Sequence, residues 1–293
     1  MATIAHHDQL AQDTAMGVVD LMVRDLDAMI AYYSTGVGLD VIAHEGPSAI
    51  LGRGTTPIMH LRQEKDLPEF NRRDAGLFHT AILFDTQAGL AGSVNSTARF
   101  APRSFTGSSD HLVSEAFYFD DPEGNGVELY WDRPREVWTR TAGGGVQMAT
   151  LPLDPNAYLR DHLTDQALTK PELAVANIGH VHLQVGDIDV AEQFYVGVLG
   201  FDVMARFGAQ ALFVAAGGYH HHIGMNTWNS AGAGPRAASL GLGQVSIEVP
   251  TTDDLDALAA RLAAQGIERR HDGAVLRFDD PWKTLVEVRP TAV

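Results

Sequence analysis

Residues 110–131, DHLVSEAFYFDDPEGNGVELYW, decide how the chain is read. Ala116, Phe117, Tyr118 and Phe119 have the composition of a strand. Residues 120–126 (DDPEGNG) collect the Asp, Pro, Gly and Asn of a tight turn, with Gly124 and Gly126 free to take left-handed angles. Residues 127–131 then read as a second strand. Period-two alternation puts Glu128 and Tyr130 on one face and Val127, Leu129 and Trp131 on the other. A carboxylate is thereby set inside an apolar strand. For a single Glu the ordinary explanation is an edge strand facing water.

Repetition elsewhere argues against that explanation. DLMVRDLDAMIAYYSTGVGLDV (20–41) and HLQVGDIDVAEQFYVGVLGFDV (182–203) align without a gap. Each reads as a strand, an N-capping Asp, an amphipathic helix and a second strand. Residues 79–84 open a shorter unit of the same order, with a helix at 87–99 and then the strand-turn-strand of 110–131. Residues 245–249 open another, with Leu255, Leu258 and Leu262 on one face of a helix at 253–264. The result is four units of strand-helix-strand-strand-strand. Asp20, His79, His182 and Gln244 stand at the matching place in the opening strands. His60, Glu128, His221 or a neighbouring His, and Glu287 stand in the closing ones. All can bind a metal or hold a residue that does.

Around these units, residues 1–15 read as a loose arm, 16–140 as an N-terminal pair of modules, 141–177 as a Gly- and Pro-punctuated connector, and 178–293 as a C-terminal pair. The chain of 293 residues has no cysteine, so a metal would have to be held by His, carboxylate and water. A formal charge of −16 argues against a nucleic-acid partner. No apolar run reaches the roughly 18 residues of a membrane span and no signal-peptide pattern opens the chain, so a cytoplasmic protein is expected.

The four-fold βαβββ order, the segments RDLDAMIAYYSTGVGLDV and GDIDVAEQFYVGVLGFDV, and the turn DDPEGNGVELYWDRP resemble the vicinal oxygen chelate superfamily. The run GGYHHHIGMNTW (217–228), with DHLVSE (110–115) and the ending DRPREVW, resembles its catechol 2,3-dioxygenase branch. The resemblance covers nearly all of residues 16–293. It implies an α+β fold of four βαβββ modules in two cup-shaped mixed sheets. It also implies a site where two His and one carboxylate hold Fe(II), or Mn(II) in some members, with open positions for an aromatic diol and O2.

Two module pairings are compatible with this. If units two and three share a cup, the ligands are His79, Glu128 and His182, and Asp20, His60, Gln244 and Glu287 gather in the other cup, where a second ion is to be considered. If units pair in chain order, one site holds Asp20, His60, His79 and Glu128. The other then holds His182, a His from 220–222, Gln244 and Glu287, closer to the four-ligand Lewis-acid site of a glyoxalase-type lyase or isomerase. The first pairing is preferred because it alone yields the triad. By the same resemblance His221, with His222 as the alternate, serves as general acid and base. Tyr118 bonds a substrate oxygen, and His111 orients substrate or a ligand. Alternation along a strand at 220–222 allows either His221 or the pair His220 and His222 to face the cup. Phe207, Phe213, Tyr219 and Trp228 are candidates for a flat pocket.

The expected function is ring cleavage of a catechol-like diol with O2 by an extradiol dioxygenase. Its partners are small molecules, with a homo-oligomer compatible. A metal-free ligand-binding protein is the third reading. The identity of the diol is not encoded in any of these motifs.

Overall fold

The structure is a computed structural model that describes residues 9–171 and 174–291. Unit one is β1 (Ala15–Val23), α1 (Leu26–Ala31, continued by a π turn at Tyr32–Gly36), β2 (Asp40–Glu45), β3 (Ser48–Arg53) and β4 (Thr56–Gln63). Unit two is β5 (Gly76–Phe84), α2 (Gln87–Phe100), β6 (Phe105–Asp110), β7 (Ser114–Asp120) and β8 (Gly126–Asp132). The connector holds β9 (Leu151–Pro152), α3 (Pro155–His162) and α4 (Asp165–Thr169). Unit three follows with β10 (Ala176–Gln184), α5 (Ile188–Tyr195), β11 (Asp202–Phe207), β12 (Ala211–Ala215) and β13 (Ile223–Asn226). Unit four is β14 (Gly241–Val249), α6 (Thr252–Ala264), β15 (Arg269–His271), β16 (Leu276–Asp279) and β17 (Leu285–Pro290).

The helices begin where capping chemistry allows. Asp25, Thr86 and Asp187 each accept a backbone N–H from the first turn of the helix that follows, and Thr251 forms a reciprocal capping box with Asp254. The strands form two mixed sheets, one in the order β15-β16-β17-β14-β1-β4-β3-β2 and the other β11-β12-β13-β10-β5-β8-β7-β6-β9. Unit one therefore pairs with unit four, and unit two with unit three, through antiparallel contacts of their opening strands β1/β14 and β5/β10. The chain-order pairing is ruled out. Each four-ligand set it would have assembled is split between the two sheets.

Alternation divides every central strand. Val19, Leu21 and Val23 of β1 and Val181 and Leu183 of β10 belong to one core cluster shared by both sheets. Asp20 of β1 and His180 and His182 of β10 point to the opposite, cup-facing sides. Residues 9–14, expected within a loose arm, are packed: Leu10 is buried and donates its N–H to Gly200 O, and Gln9 bonds Asp202. Residues 1–8 lie outside the described residues. The connector lies against α2, with Tyr158 of α3 buried against Phe117.

Two matching contacts tie the sheets together. Tyr33 of unit one donates to the carboxylate of Asp121 in the β7-β8 turn, at 3.0 Å. Tyr195 of unit three donates to Asp280 in the β16-β17 turn, also at 3.0 Å. Burial pushes both carboxyls up to about 6, against the hydrogen bonds that favour their ions. Both groups thus bind a proton more tightly folded than unfolded. The stability they contribute is fully present below the ordinary carboxylate range and is lost as pH rises through about 6. Asp121→Asn should therefore gain stability relative to the native protein as pH rises from 4 to 7, by on the order of 2 kcal/mol. Urea midpoints across that range check it, and a difference that stays flat would refute it.

Candidate metal centre

One rung of the second sheet carries the site. Tyr118 of β7 is registered opposite Glu128 of β8, Glu128 beside Ala81 of β5, and Ala81 opposite His180 of β10. All four face the cup, and the small Ala81 leaves room between carboxylate and imidazole. His79, two residues before Ala81 on β5, shares that face. The Nε2 atoms of His79 and His180 lie 2.9 Å and 3.1 Å from the same oxygen, Glu128 Oε2. One ligand atom from each of the three buried residues falls within 4.8 Å of the others, and this is the only such grouping among the described residues.

The donor set fits a cation. His79 Nε2 is buried without a hydrogen-bond partner although it faces a carboxylate, which leaves its lone pair for an ion. Burial pushes His180 down to about 4, partly opposed by Glu128, so the ring is neutral and ligand-competent. Burial alone would raise the Glu128 carboxyl. The two imidazoles facing it outweigh burial and hold it well below its usual range. Among the described residues no Lys or Arg pairs with this buried carboxylate, and a cation would complete its setting.

Above the triad opens a cavity of about 450 Å³. His79, Glu128, Tyr118, His111, His182 and His221 all line it. Phe78, Phe207, Phe213 and Trp228 form much of its wall. Trp228 is 47% exposed at the mouth. Tyr219 is not among the lining residues and packs on Trp138 instead. His111 sits in a turn held by Leu112 at φ 70°. Its Nδ1–H donates to Ala149 O at 2.6 Å, so its Nε2 is an acceptor and takes the Tyr118 hydroxyl at 2.7 Å. The Tyr118 oxygen retains lone pairs for a ligand. Burial, with like charge from neighbouring imidazoles, pushes His221 well below the ordinary histidine range. Its ring stacks on His180 at 4.0 Å between centroids.

Comparison with known proteins agrees with this geometry. Residues 177–288 match the family described as Glyoxalase/Bleomycin resistance protein/Dioxygenase superfamily. A Bacillus subtilis (strain 168) protein named catechol-2,3-dioxygenase is 35% identical over 277 residues, covering 92% of this chain and 95% of that protein. The chain belongs to the glyoxalase/bleomycin resistance/dioxygenase superfamily. It is an enzyme of that superfamily. Glyoxalase I from Zea mays (17% identity, TM-score 0.55, covering 95% of this chain and 92% of that one) has the same fold. So does the cppA protein of Streptococcus pneumoniae TIGR4 (12%, TM-score 0.58, covering 97% and 100%). At these identities they speak to the fold alone.

Several site residues expected within this superfamily pattern sit differently. His182 faces His79 across β5/β10, with ring centroids 4.9 Å apart, but it is not in the three-residue cluster. Its Nε2 meets the Asn226 amide at 3.0 Å. Its ring covers Gly224, where a Cβ would come within 3.0 Å. In the cluster His180 stands where His182 was expected, and helix caps carry the signal that finds it. His79 precedes the capping Thr86 by seven residues, and His180 precedes the capping Asp187 by the same seven. Matching His182 to His79 ignored that landmark. Residues 220–222 are not strand but the loop before β13, so alternation does not govern them. His222 accepts the Ala216 N–H through Nδ1 and does not line the cavity.

The first sheet's cup is neutralised from within. Asp20 pairs with His60 at 3.2 Å and Arg62 at 3.0 Å. Glu287 pairs with Arg277 at 2.7 Å and with Arg289, and Gln244 bonds Ser246. Guanidinium groups occupy the place a second ion would need. Lys283, at φ 64°, stands where the unit-two turn has Gly124 at φ 81°.

Two outcomes follow from this geometry. His79→Ala, Glu128→Ala and His180→Ala should each weaken divalent-metal binding by at least about a hundredfold, whereas His182→Ala should retain it. Metal content after dialysis and calorimetric titration measure this, and retention by the His180 variant would refute the triad. In Gly179→Ala the new Cβ would stand 1.7 Å from the Tyr130 hydroxyl. That variant should lose about 1–3 kcal/mol of stability in urea unfolding.

Proposed function

We propose that this enzyme is an extradiol dioxygenase that holds Fe(II), or Mn(II), through His79, Glu128 and His180 and opens a catechol-like aromatic diol with O2. The observation that carries the reading is the convergence of two imidazoles and one carboxylate, His79, His180 and Glu128, of which His79 and Glu128 line an aromatic-walled cavity that a third imidazole, His221, also lines. The name borne by the Bacillus relative supports the same reaction. Two imidazoles and one carboxylate leave a divalent ion a net positive charge and open positions, and such an ion supplies binding for diol and O2 together. The location proposed is the cytoplasm; among the described residues no helix is long and apolar enough to cross a membrane.

This chain's own groups then divide the work. His221, kept neutral by burial, accepts a proton from a diol hydroxyl and can return it later in the reaction. The Tyr118 oxygen, its own proton committed to His111, accepts a hydrogen bond from the diol and fixes its orientation. Phe78, Phe213 and Trp228 provide flat walls for the ring and limit water. His182 is proposed as a cavity-lining residue held by Asn226.

Iron-loaded protein should consume O2 with a small panel of catechols and give the yellow ring-opened product. His221→Ala should keep its iron and lose about 10²- to 10⁴-fold in kcat. Oxygen electrode traces and absorbance test this together. Absence of uptake across the panel with iron bound would sink the reading, and turnover of a hemithioacetal without O2 would replace it by isomerase chemistry.

A further inference from the structure

β8 carries more than the carboxylate of the triad. Glu128, Tyr130 and Asp132 are spaced by two and share the cup face. Asp132 lies beyond the cavity lining, at the end of the strand. The loop before β13 folds over it. His220 is fully buried there, and its Nε2 lies 2.8 Å from Asp132 Oδ1. Its Nδ1 lies 2.8 Å from Nδ1 of His221. The other Asp132 oxygen accepts the Tyr219 hydroxyl at 2.7 Å, and the Tyr219 oxygen is 2.8 Å from the Tyr130 hydroxyl. Tyr219 and Trp138 pack against the His220 ring and hold it in place.

The donors and acceptors in this chain leave little freedom. A carboxylate only accepts, so the His220 nitrogen facing Asp132 carries the proton. A His220 ring holding that proton alone presents Nδ1 as a lone pair. The 2.8 Å approach to His221 then requires the proton on His221 Nδ1. Nε2 of His221 is left without a proton. We infer that Asp132, acting through His220, is the positioning device that fixes His221 as its Nδ1–H tautomer and so makes Nε2 the proton acceptor of the cavity. The inference rests on the proposed role of His221.

The tautomer and the turnover are read separately. Long-range ¹H–¹⁵N spectra of the full-length, diamagnetic metal-free protein should show His221 protonated at Nδ1, and Asp132→Asn and His220→Phe should each abolish that assignment. His220→Phe keeps the ring packing and serves if the Asp132 variant does not fold. In the iron-loaded protein both variants should keep iron content and KM while kcat falls about a hundredfold. Protonation of His221 at Nε2 in the native protein, or a native kcat in His220→Phe, would overturn the inference. A correct tautomer in a protein that consumes no O2 with any catechol would uphold the tautomer chain and sink the dioxygenase reading instead.

Discussion

Everything in the second cup depends on one antiparallel contact, the pairing of β5 with β10. Each strand opens a unit in a different half of the chain, and each brings a histidine to the same face. The third member of the cluster, Glu128, arrives on β8, the parallel neighbour of β5. An ionised Glu128 at 3% exposure between two imidazoles would be costly in an ordinary sheet. It is tolerable where a cation completes the set. The strand that seemed at first to be a solvated edge is flanked by β7 and β5 in mid-sheet.

The two sheets are alike in topology and opposite in electrostatics. In the first, Asp20 and Glu287 are answered by arginines, Arg62 and Arg277 from neighbouring strands and Arg289 from the same strand as Glu287. In the second, the carboxylate is answered only by imidazoles, His79 and His180. A guanidinium cannot be deprotonated and fills the cup with fixed charge and five donors. Imidazoles present lone pairs. The same βαβββ unit thus makes one salt-bridged half and one half suited to an ion and a ligand. The Tyr33–Asp121 and Tyr195–Asp280 contacts fasten the two halves together at matching turns.

Around the triad, short polar chains set which atoms are donors. Ala149 O, His111 and Tyr118 form one, ending on an oxygen that accepts. Asp132, His220 and His221 form another, ending on a nitrogen that accepts. Both begin at a group that can only accept, a backbone carbonyl in one case and a carboxylate in the other. Each passes its constraint through an imidazole with one proton to give. A ligand entering the cavity meets acceptors on both sides.

The sequence by itself determined the four units, their helices and two members of the buried cluster. Strand periodicity, capping residues and turn chemistry are local, and the repeat multiplies each signal four times. His79 and Glu128 were legible because each sits inside an apolar run, where a polar residue needs a reason. His180 was not legible in the same way. Two histidines at 180 and 182 share a face, and alternation cannot choose between them; the distance to the helix cap does. The environment of the His220–His222 loop was decided only by tertiary structure. There no period applies, and the ring that reaches the cavity, the one that meets Asp132 and the one that caps Ala216 are set by contacts with β8 and β12. Which cup would hold arginines was likewise beyond the sequence, since Arg62 and Arg277 meet their carboxylates only once neighbouring strands are in register.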